Sequence, residues 1–328
     1  MSDPWREFER RCQKPDFRRV GNAYARRIAR PLALYCTRII LPTGVSAHAV
    51  TIAAWLTGLA AAGAFAFGSI LGWVIGAALL QTSYLLDHID GQIARYRRTA
   101  SLDGVALDFL MHHTLVMVLP LGIAYGFVNQ GGSHLWLLVG IAWSLGMLIQ
   151  SIDHDVRAKA IVSRLKRLDG ELRVIGGRGG RPTPPSPWPR RPVAILKRLV
   201  KLACQWHWTI NTLTVLSVMR VIVADSTIVD RTNLGELLRV ATNAAITSYA
   251  GLMGPLALTV AVVQIVRSVR DSAAEHEFAA WYSPPEDCTL LERDGSWSVV
   301  SIDEVTSTDI ANIVPAIDRS NASMSRSS

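Results

Sequence analysis

The sequence has few of the residues that mark a disulfide-stabilised or zinc-binding protein. Its 328 residues include four cysteines, which are scattered and form no CxxC pair. This spacing gives no disulfide framework and no zinc site. Charged residues make up only 18% of the chain, whereas hydrophobic residues make up 50% and the mean hydropathy is +0.25. This composition excludes an ordinary soluble protein, and several apolar runs reach the roughly 20 residues that a membrane-crossing helix needs.

Two further features are missing. The chain contains no recognisable nucleic-acid-binding module, and its charged N-terminus lacks the apolar segment of a cleaved signal peptide. The net charge of +8 is unevenly distributed, because residues 271–328 hold eleven acidic residues against three arginines. The first 270 residues are therefore strongly basic. A basic membrane domain indicates contact with anionic lipid headgroups, and we expect no nucleic-acid partner.

The hydropathy pattern predicts an all-α membrane protein with six transmembrane helices and an N-terminal amphipathic juxtamembrane helix. The predicted spans are residues 47–67, 69–88, 106–127, 134–152, 202–223 and 243–266. Aromatic and aliphatic residues interrupt the Arg-rich stretch 5–38, which predicts an amphipathic segment on the membrane surface. A solvated helix without membrane contact is the alternative for this stretch.

The distribution of Lys and Arg predicts the orientation in the membrane. With the N-terminus inside, the inner segments carry ten basic residues before the first span, three at 95–98 and thirteen at 153–201. The outer loops then carry two. The positive-inside rule therefore favours cytoplasmic N- and C-termini, with the acidic stretch that follows the second span on the cytoplasmic face.

These patterns divide the chain into three parts. We expect residues 1–46 to form a cytoplasmic amphipathic segment, 47–270 a six-helix transmembrane domain, and 271–328 an acidic, partly disordered cytoplasmic tail. The transmembrane domain contains a cytoplasmic insertion at 153–201, whose Gly- and Pro-rich middle, 176–192, is predicted to be disordered. In the tail, Asp294-Gly295 between two β-prone runs predicts a small hairpin.

The most informative stretch is residues 87–112, with the sequence DHIDGQIARYRRTASLDGVALDFLMH. It places the carboxylates of Asp87, Asp90 and Asp108 at the predicted membrane edge, where acidic residues usually mark function. Asp87 and Asp90 share one helix face, and Asp108 shares a face of the next helix with His112. Such a cluster of like charges needs cations, and hard, oxygen-liganded divalent ions such as Mg²⁺ fit it best. Mn²⁺ is the alternative that an imidazole ligand favours.

This stretch resembles the signature of the CDP-alcohol phosphatidyltransferase family, D-x2-D-G-x2-A-R-x8-G-x3-D-x3-D. Seven of the eight signature positions match, and His112 stands where the family has its last Asp. The resemblance implies metal-binding roles for three residues, Asp87, Asp90 and Asp108. It implies positions around the CDP moiety of the substrate for four more, Gly91, Ala94, Arg95 and Gly104. The family position of His112 binds a second metal ion and acts as the base.

The replacement at His112 leaves two interpretations. An imidazole has an ordinary pKa of roughly 6.5, which suits a general base that takes a proton from an acceptor hydroxyl. His112 would then be the catalytic base and a possible metal ligand. Alternatively, the replacement abolishes catalysis and the fold persists as a scaffold. A weak second similarity lies upstream, where Ser46–Thr51 (SAHAVT) corresponds to a Pro-Asn-x-x-Thr-like stretch of the family.

The resemblance implies an enzyme of phospholipid synthesis that transfers a substituted phosphate from a CDP-alcohol to a hydroxyl acceptor and releases CMP. The expected donor is CDP-diacylglycerol; the alternative is a soluble CDP-linked headgroup with a lipid acceptor. Family members tend to be homodimers. The competing hypotheses are a non-catalytic membrane scaffold and, less favoured, a transporter, for which we would expect inverted repeats and charged segments at mid-membrane.

Overall fold

The computed structural model describes residues 4–14, 17–18, 22–175, 192–224, 233–293, 296–306, 309 and 313. Within these ranges the chain is largely helical. Its α-helices are α1 Pro4–Cys12, α2 Arg30–Ile40, α3 Ala47–Ala66, α4 Ile70–Arg97, α5 Leu102–Asn129, α6 Leu135–Leu165, α7 Pro192–Ala203, α8 Trp206–Ala224, α9 Asn233–Arg270 and α10 Ala273–Trp281. Its strands are β1 Leu168–Asp169, β2 Arg173–Val174, β3 Tyr282–Ser283, β4 Cys288–Arg293 and β5 Ser296–Ser301.

Six of the described helices are long and apolar enough to cross a membrane: α3, α4, α5, α6, α8 and most of α9. The chain is therefore a multi-pass, all-α membrane protein, and the N-terminal amphipathic segment is present as α1 and α2. Several helices extend well past the predicted spans, to Arg97 in α4 and to Leu165 in α6. Hydropathy marks only the part that crosses hydrocarbon, whereas the backbone hydrogen bonds of a helix continue beyond it.

Serine caps fix where three membrane helices begin. The hydroxyls of Ser46, Ser69 and Ser101 each accept a hydrogen bond from the backbone N–H three residues later, at 3.1 Å. Such a cap satisfies one of the N–H groups that the first turn of a helix leaves without a partner. The cap at Ser101 matters most for function, because α5 carries half of the acidic stretch.

The first unit of the chain is built around α3. Contacts divide the described residues into one unit within Met1–Ile149 and Pro187–Ala261 and another within Gln150–Ser186 and Val262–Ser328. In the first, α3 packs against α4 and α5, and α4 also packs against α8. Glycine makes the α3–α5 contact close, since a Cβ atom at Gly122 would lie 2.3 Å from the Ala62 carbonyl oxygen. Small residues permit this kind of helix contact in membranes.

The second unit joins the end of α6 to the tail. β4 and β5 pair as an antiparallel hairpin, as predicted, and β1 adds to β5 in parallel while β2 pairs with β3. The guanidinium of Arg164 hydrogen bonds with both carboxylate oxygens of Glu275 and lies 4.8 Å from the ring centroid of Phe278. Residues 294–295 of the hairpin turn, and 176–191 of the predicted disordered stretch, lie outside the described residues.

The ends of the predicted insertion 153–201 are more ordered than its composition indicates. Its first residues continue α6, and its last residues form the separate helix α7 immediately before α8. In α6, Asp153 accepts hydrogen bonds from Arg157 and, at 2.8 Å, from Gln264 of α9. Helix-forming residues favour a helix at both ends, and the ion pair of Asp153 with Arg157 also stabilises the first, although the Gly- and Pro-rich centre dominates the composition of the segment.

Candidate active site

The acidic stretch folds into the end of one membrane helix, a short turn and the start of the next. Asp87 and Asp90 lie on α4, which ends where Arg98 adopts a left-handed conformation at φ 56°. The chain then turns back, and the Ser101 cap starts α5, which carries Asp108 and His112 one turn apart. The turn brings the two helix faces together, so carboxylates that are 21 residues apart in sequence become neighbours.

His112 joins the two helices. Its Nε2 atom lies 3.5 Å from Asp87 Oδ1, and its Nδ1 atom lies 3.2 Å from Asp108 Oδ1 and 3.0 Å from the Asp108 carbonyl oxygen. Asp87 also faces His88, whose Nδ1 atom is 3.5 Å from its Oδ2. The structure thus brings the predicted residues Asp87, Asp108 and His112 into one triad.

The donor set of this triad suits a divalent cation. One ligand atom from each of Asp87, Asp108 and His112 lies within 4.8 Å of the other two. When Nδ1–H donates to Asp108, the lone pair on Nε2 faces the carboxylate of Asp87. Two electron-rich groups in this arrangement require a proton or a metal ion between them. Two carboxylates and an imidazole are ligands that both Mg²⁺ and Mn²⁺ accept.

Asp90 lies beside the triad without belonging to it. Its side chain is buried, and its Oδ2 atom accepts a hydrogen bond of 2.6 Å from the hydroxyl of Thr51 on α3. Its Oδ1 atom accepts one from the backbone N–H of Gly91. Asp90 still lines the same cavity as Asp87 and Asp108. Both carboxylate oxygens of Asp90 are therefore already held by the protein.

Arg95 covers Gly91 and reaches the N-terminal segment. A Cβ atom at Gly91 would lie 3.0 Å from Arg95 Nη1, so glycine leaves room for the guanidinium. Arg95 Nε donates a hydrogen bond of 2.6 Å to the backbone carbonyl oxygen of Cys12. The small residue at 91, expected to admit a nucleotide, therefore also admits a side chain of its own helix. Arg95 and Gly91 both line the cavity.

The cavity in front of the triad measures about 440 Å³, within the range of small-molecule sites. Ala94 and Gly104 contribute to its wall, and His48 lies next to Gly104. A Cβ atom at Gly104 would lie 3.1 Å from His48 Nε2, and the Ser101 hydroxyl lies 3.4 Å from the same nitrogen. All eight predicted site residues therefore surround one cavity.

Several lining residues were not identified from the sequence. They come from the N-terminal segment, α2, the start of α3 and α4, and they include Gln13, Lys14, Phe17, Arg30, Thr51 and His88. Thr51 belongs to the weak SAHAVT similarity, which was the one signal available for it. The N-terminal residues gave no signal, because their contact with α4 joins positions more than 70 residues apart.

A comparison with known protein families matches the segment that carries this site. Residues 49–167 match the family described as CDP-alcohol phosphatidyltransferase. The resemblance predicted from the signature is thus confirmed, over a segment that contains the triad and less than half of the chain. This family comprises phosphotransferases of phospholipid synthesis. No curated protein matches the chain. The N-terminal residues of the cavity wall lie outside the matched segment.

Proposed function

We propose that this protein transfers a phosphatidyl group from CDP-diacylglycerol to a hydroxyl acceptor and releases CMP. The observation that carries the proposal is the triad of Asp87, Asp108 and His112 on the wall of a 440 Å³ cavity, within the segment that matches the family. The substituents of a CDP-alcohol are a nucleotide and an alcohol joined through a pyrophosphate, so its recognition needs cations close to a nucleotide-sized space.

Asp87, Asp108 and His112 would hold a divalent metal ion, with Asp90 as a further candidate ligand. A bound Mg²⁺ or Mn²⁺ supplies positive charge that offsets the negative charge of the phosphates. Arg95 adds a fixed cation on the same wall, because its Nε bond to the Cys12 carbonyl holds the guanidinium in place. The wall formed by Gly91, Ala94 and Gly104 would then contact the CDP moiety.

His112 is proposed as the base. The hydroxyl oxygen of the acceptor attacks the phosphorus that carries the diacylglycerol, and the bond from that phosphorus to the CMP oxygen breaks. The hydroxyl proton moves to Nε2 of His112, the nitrogen that is not hydrogen bonded to Asp108. Because one lone pair cannot bind a metal ion and a proton together, the roles of base and metal ligand exclude each other at a given moment. Both roles are open to test.

The proposed setting is a membrane protein with both termini and the site on the cytoplasmic side. The excess of Lys and Arg in the segments before span one and after span four supports this orientation. The same charges favour anionic membrane lipids as neighbours. The proposal divides the chain into an N-terminal segment 1–46, a catalytic domain 47–270 and an acidic tail 271–328. It also includes assembly as a homodimer.

One observation favours a second function, a scaffold without catalysis: His112 replaces the last acidic residue of the signature. Among enzymes, a soluble CDP-linked headgroup with a lipid acceptor would use the same site. The choice of donor distinguishes the two enzymatic alternatives, and the presence of turnover distinguishes both from the scaffold.

The experiment is CMP release by the purified protein from CDP-diacylglycerol, with Mg²⁺ or Mn²⁺ and a membrane extract that supplies acceptors. Asp108→Asn should abolish release, because it removes one of two triad carboxylates. Asp103→Asn is the matched control: Asp103 lies on the same helix, is exposed and does not line the cavity. Full release by Asp108→Asn would contradict the proposed site. No release from CDP-diacylglycerol or from CDP-linked headgroups would favour the scaffold.

A further inference from the structure

The N-terminal helix is attached to the helix that carries Asp87. The ring of Phe8 on α1 meets Tyr96 on α4 edge to face at 5.5 Å, and Trp5 stacks on Tyr35 of α2 at 5.0 Å. Arg95 completes the attachment through its hydrogen bond to the Cys12 carbonyl oxygen. Since Cys12 is fully buried, α1 forms part of the folded unit and ends at the cavity.

Three residues that follow α1 contribute to the wall of that cavity. Gln13 is 8% exposed and lines the cavity together with Lys14 and Phe17. The Phe17 backbone is held by Arg30, whose Nη1 atom donates a hydrogen bond of 2.6 Å to the Phe17 carbonyl oxygen. These bonds hold the backbone at Cys12 and at Phe17, two residues before and three residues after Lys14.

Lys14 differs from the other two long cationic side chains on the cavity wall. Arg95 and Arg30 each donate to a backbone carbonyl oxygen of the N-terminal segment. No acceptor contacts the Lys14 ammonium among the residues that the structure describes, and Lys14 lines the same cavity as Asp108 of the triad. An ammonium with three donors beside a cluster of carboxylates is placed to bind whatever anion the cavity receives.

We propose that Lys14 is a substrate-binding residue that donates to a pyrophosphate oxygen of the CDP donor. This inference rests on the proposed function, since it assumes a phosphate-bearing ligand beside the triad. A divalent ion held by Asp87 and Asp108 would share its positive charge with these carboxylates, and a Lys ammonium would offset further negative charge on the pyrophosphate. The site would then include residues outside the family match at 49–167, so the N-terminal segment becomes part of the substrate pocket.

The test is equilibrium binding of CDP to the purified full-length protein at fixed Mg²⁺. Lys14→Met removes the charge and keeps most of the aliphatic chain, and we expect it to raise the Kd for CDP about tenfold. Lys14→Arg should restore most of the affinity. Arg10→Met is the matched control, because Arg10 lies on α1 with its side chain 78% exposed and does not line the cavity. Its Kd should stay within about twofold of the unmodified protein.

The outcomes separate this inference from the proposed function. If the protein releases CMP but Lys14→Met binds CDP as tightly as the unmodified protein, the role of Lys14 is refuted and the enzyme stands. Equal losses in Lys14→Met and Arg10→Met also refute it, because they indicate a general effect of charge. Equal losses in Lys14→Met and Lys14→Arg would indicate a structural role. If the unmodified protein neither binds CDP nor releases CMP, both proposals are wrong.

Discussion

His112 stands where the family signature that this chain resembles has its last Asp. Its imidazole bridges Asp108 and Asp87 at 3.2 and 3.5 Å, so its removal leaves two carboxylates without the group between them. A positioned general base contributes about 10²–10⁴-fold to a rate, which corresponds to about 2.7–5.5 kcal/mol in the activation barrier. His112→Ala should lower kcat by this factor at saturating metal.

His112→Asp restores the acidic residue of the family and is the informative partner variant. It places a full negative charge in the triad, and two unit charges about 4 Å apart interact by about 4 kcal/mol at an effective dielectric constant of 20, before the cost of desolvation. We expect tighter Mg²⁺ binding and retained turnover. Because an ordinary carboxyl group ionises near pH 3.9 and an imidazole near 6.5, a base at this position should reach full activity at lower pH in His112→Asp than in the unmodified protein.

The assay is CMP release as a function of Mg²⁺ concentration and pH for the two variants and the unmodified protein. A higher half-saturating Mg²⁺ concentration with unchanged kcat in His112→Ala would assign the imidazole to metal binding. Unchanged kcat and unchanged Mg²⁺ dependence would refute both roles. Turnover by His112→Asp alone, with an inactive unmodified protein, would show that the imidazole had abolished catalysis and would support the scaffold.

Two further predictions concern the packing around the site. Burial raises the pKa of the Cys12 thiol to about 11, so its thiolate fraction at pH 8 falls about 100-fold below that of an ordinary cysteine. In a variant that retains Cys12 as its one cysteine, the thiol should therefore react slowly with a maleimide. Trp5→Ala loosens α1 and should speed this reaction. Fast labelling without that change would contradict the attachment of α1. Gly122→Ala should lower the free energy of unfolding by about 1–3 kcal/mol, because its methyl group meets the α3 backbone. Gly63→Ala, which meets nothing within 4 Å, should keep or raise the Tm in detergent, and equal Tm values for both variants would refute the packing argument.

Local spacing and the match to the signature together predicted a cluster of Asp87, Asp90, Asp108 and His112, of which the structure joins three as the triad. Asp108 and His112 are four residues apart, so any helix places them on one face, and the match to the signature joined them to Asp87. The six membrane helices also followed from hydropathy alone. In both cases the residues concerned lie within one helix or on consecutive helices. The short connection at 98–101 leaves few ways for α4 and α5 to pack.

The N-terminal wall of the cavity could not be predicted in the same way. Arg95 binds a backbone carbonyl at Cys12, and a carbonyl acceptor is present at every residue, so the sequence carries no mark of the partner. Lys14 is one of ten basic residues before the first span, and nothing in the sequence distinguishes it from the others. It lines the cavity because the N-terminal segment packs against α4. The predicted second span ended at residue 88, although the spacing of Asp87 and Asp90 already placed both on one helix face; polar residues continue that helix, α4, to Arg97.

The pairing of β1 with β5 has a consequence for membrane topology that does not depend on counting charges. β1 follows α6, and β5 lies in the tail after α9, so two of the described helices that are long and apolar enough to cross a membrane, α8 and α9, intervene. Strands can exchange backbone hydrogen bonds only on the same side of a bilayer, which requires an even number of crossings between them. During synthesis β5 emerges only after α8 and α9, so β1 has no partner strand until both of these helices have been made. This small sheet is therefore among the last parts of the protein to form.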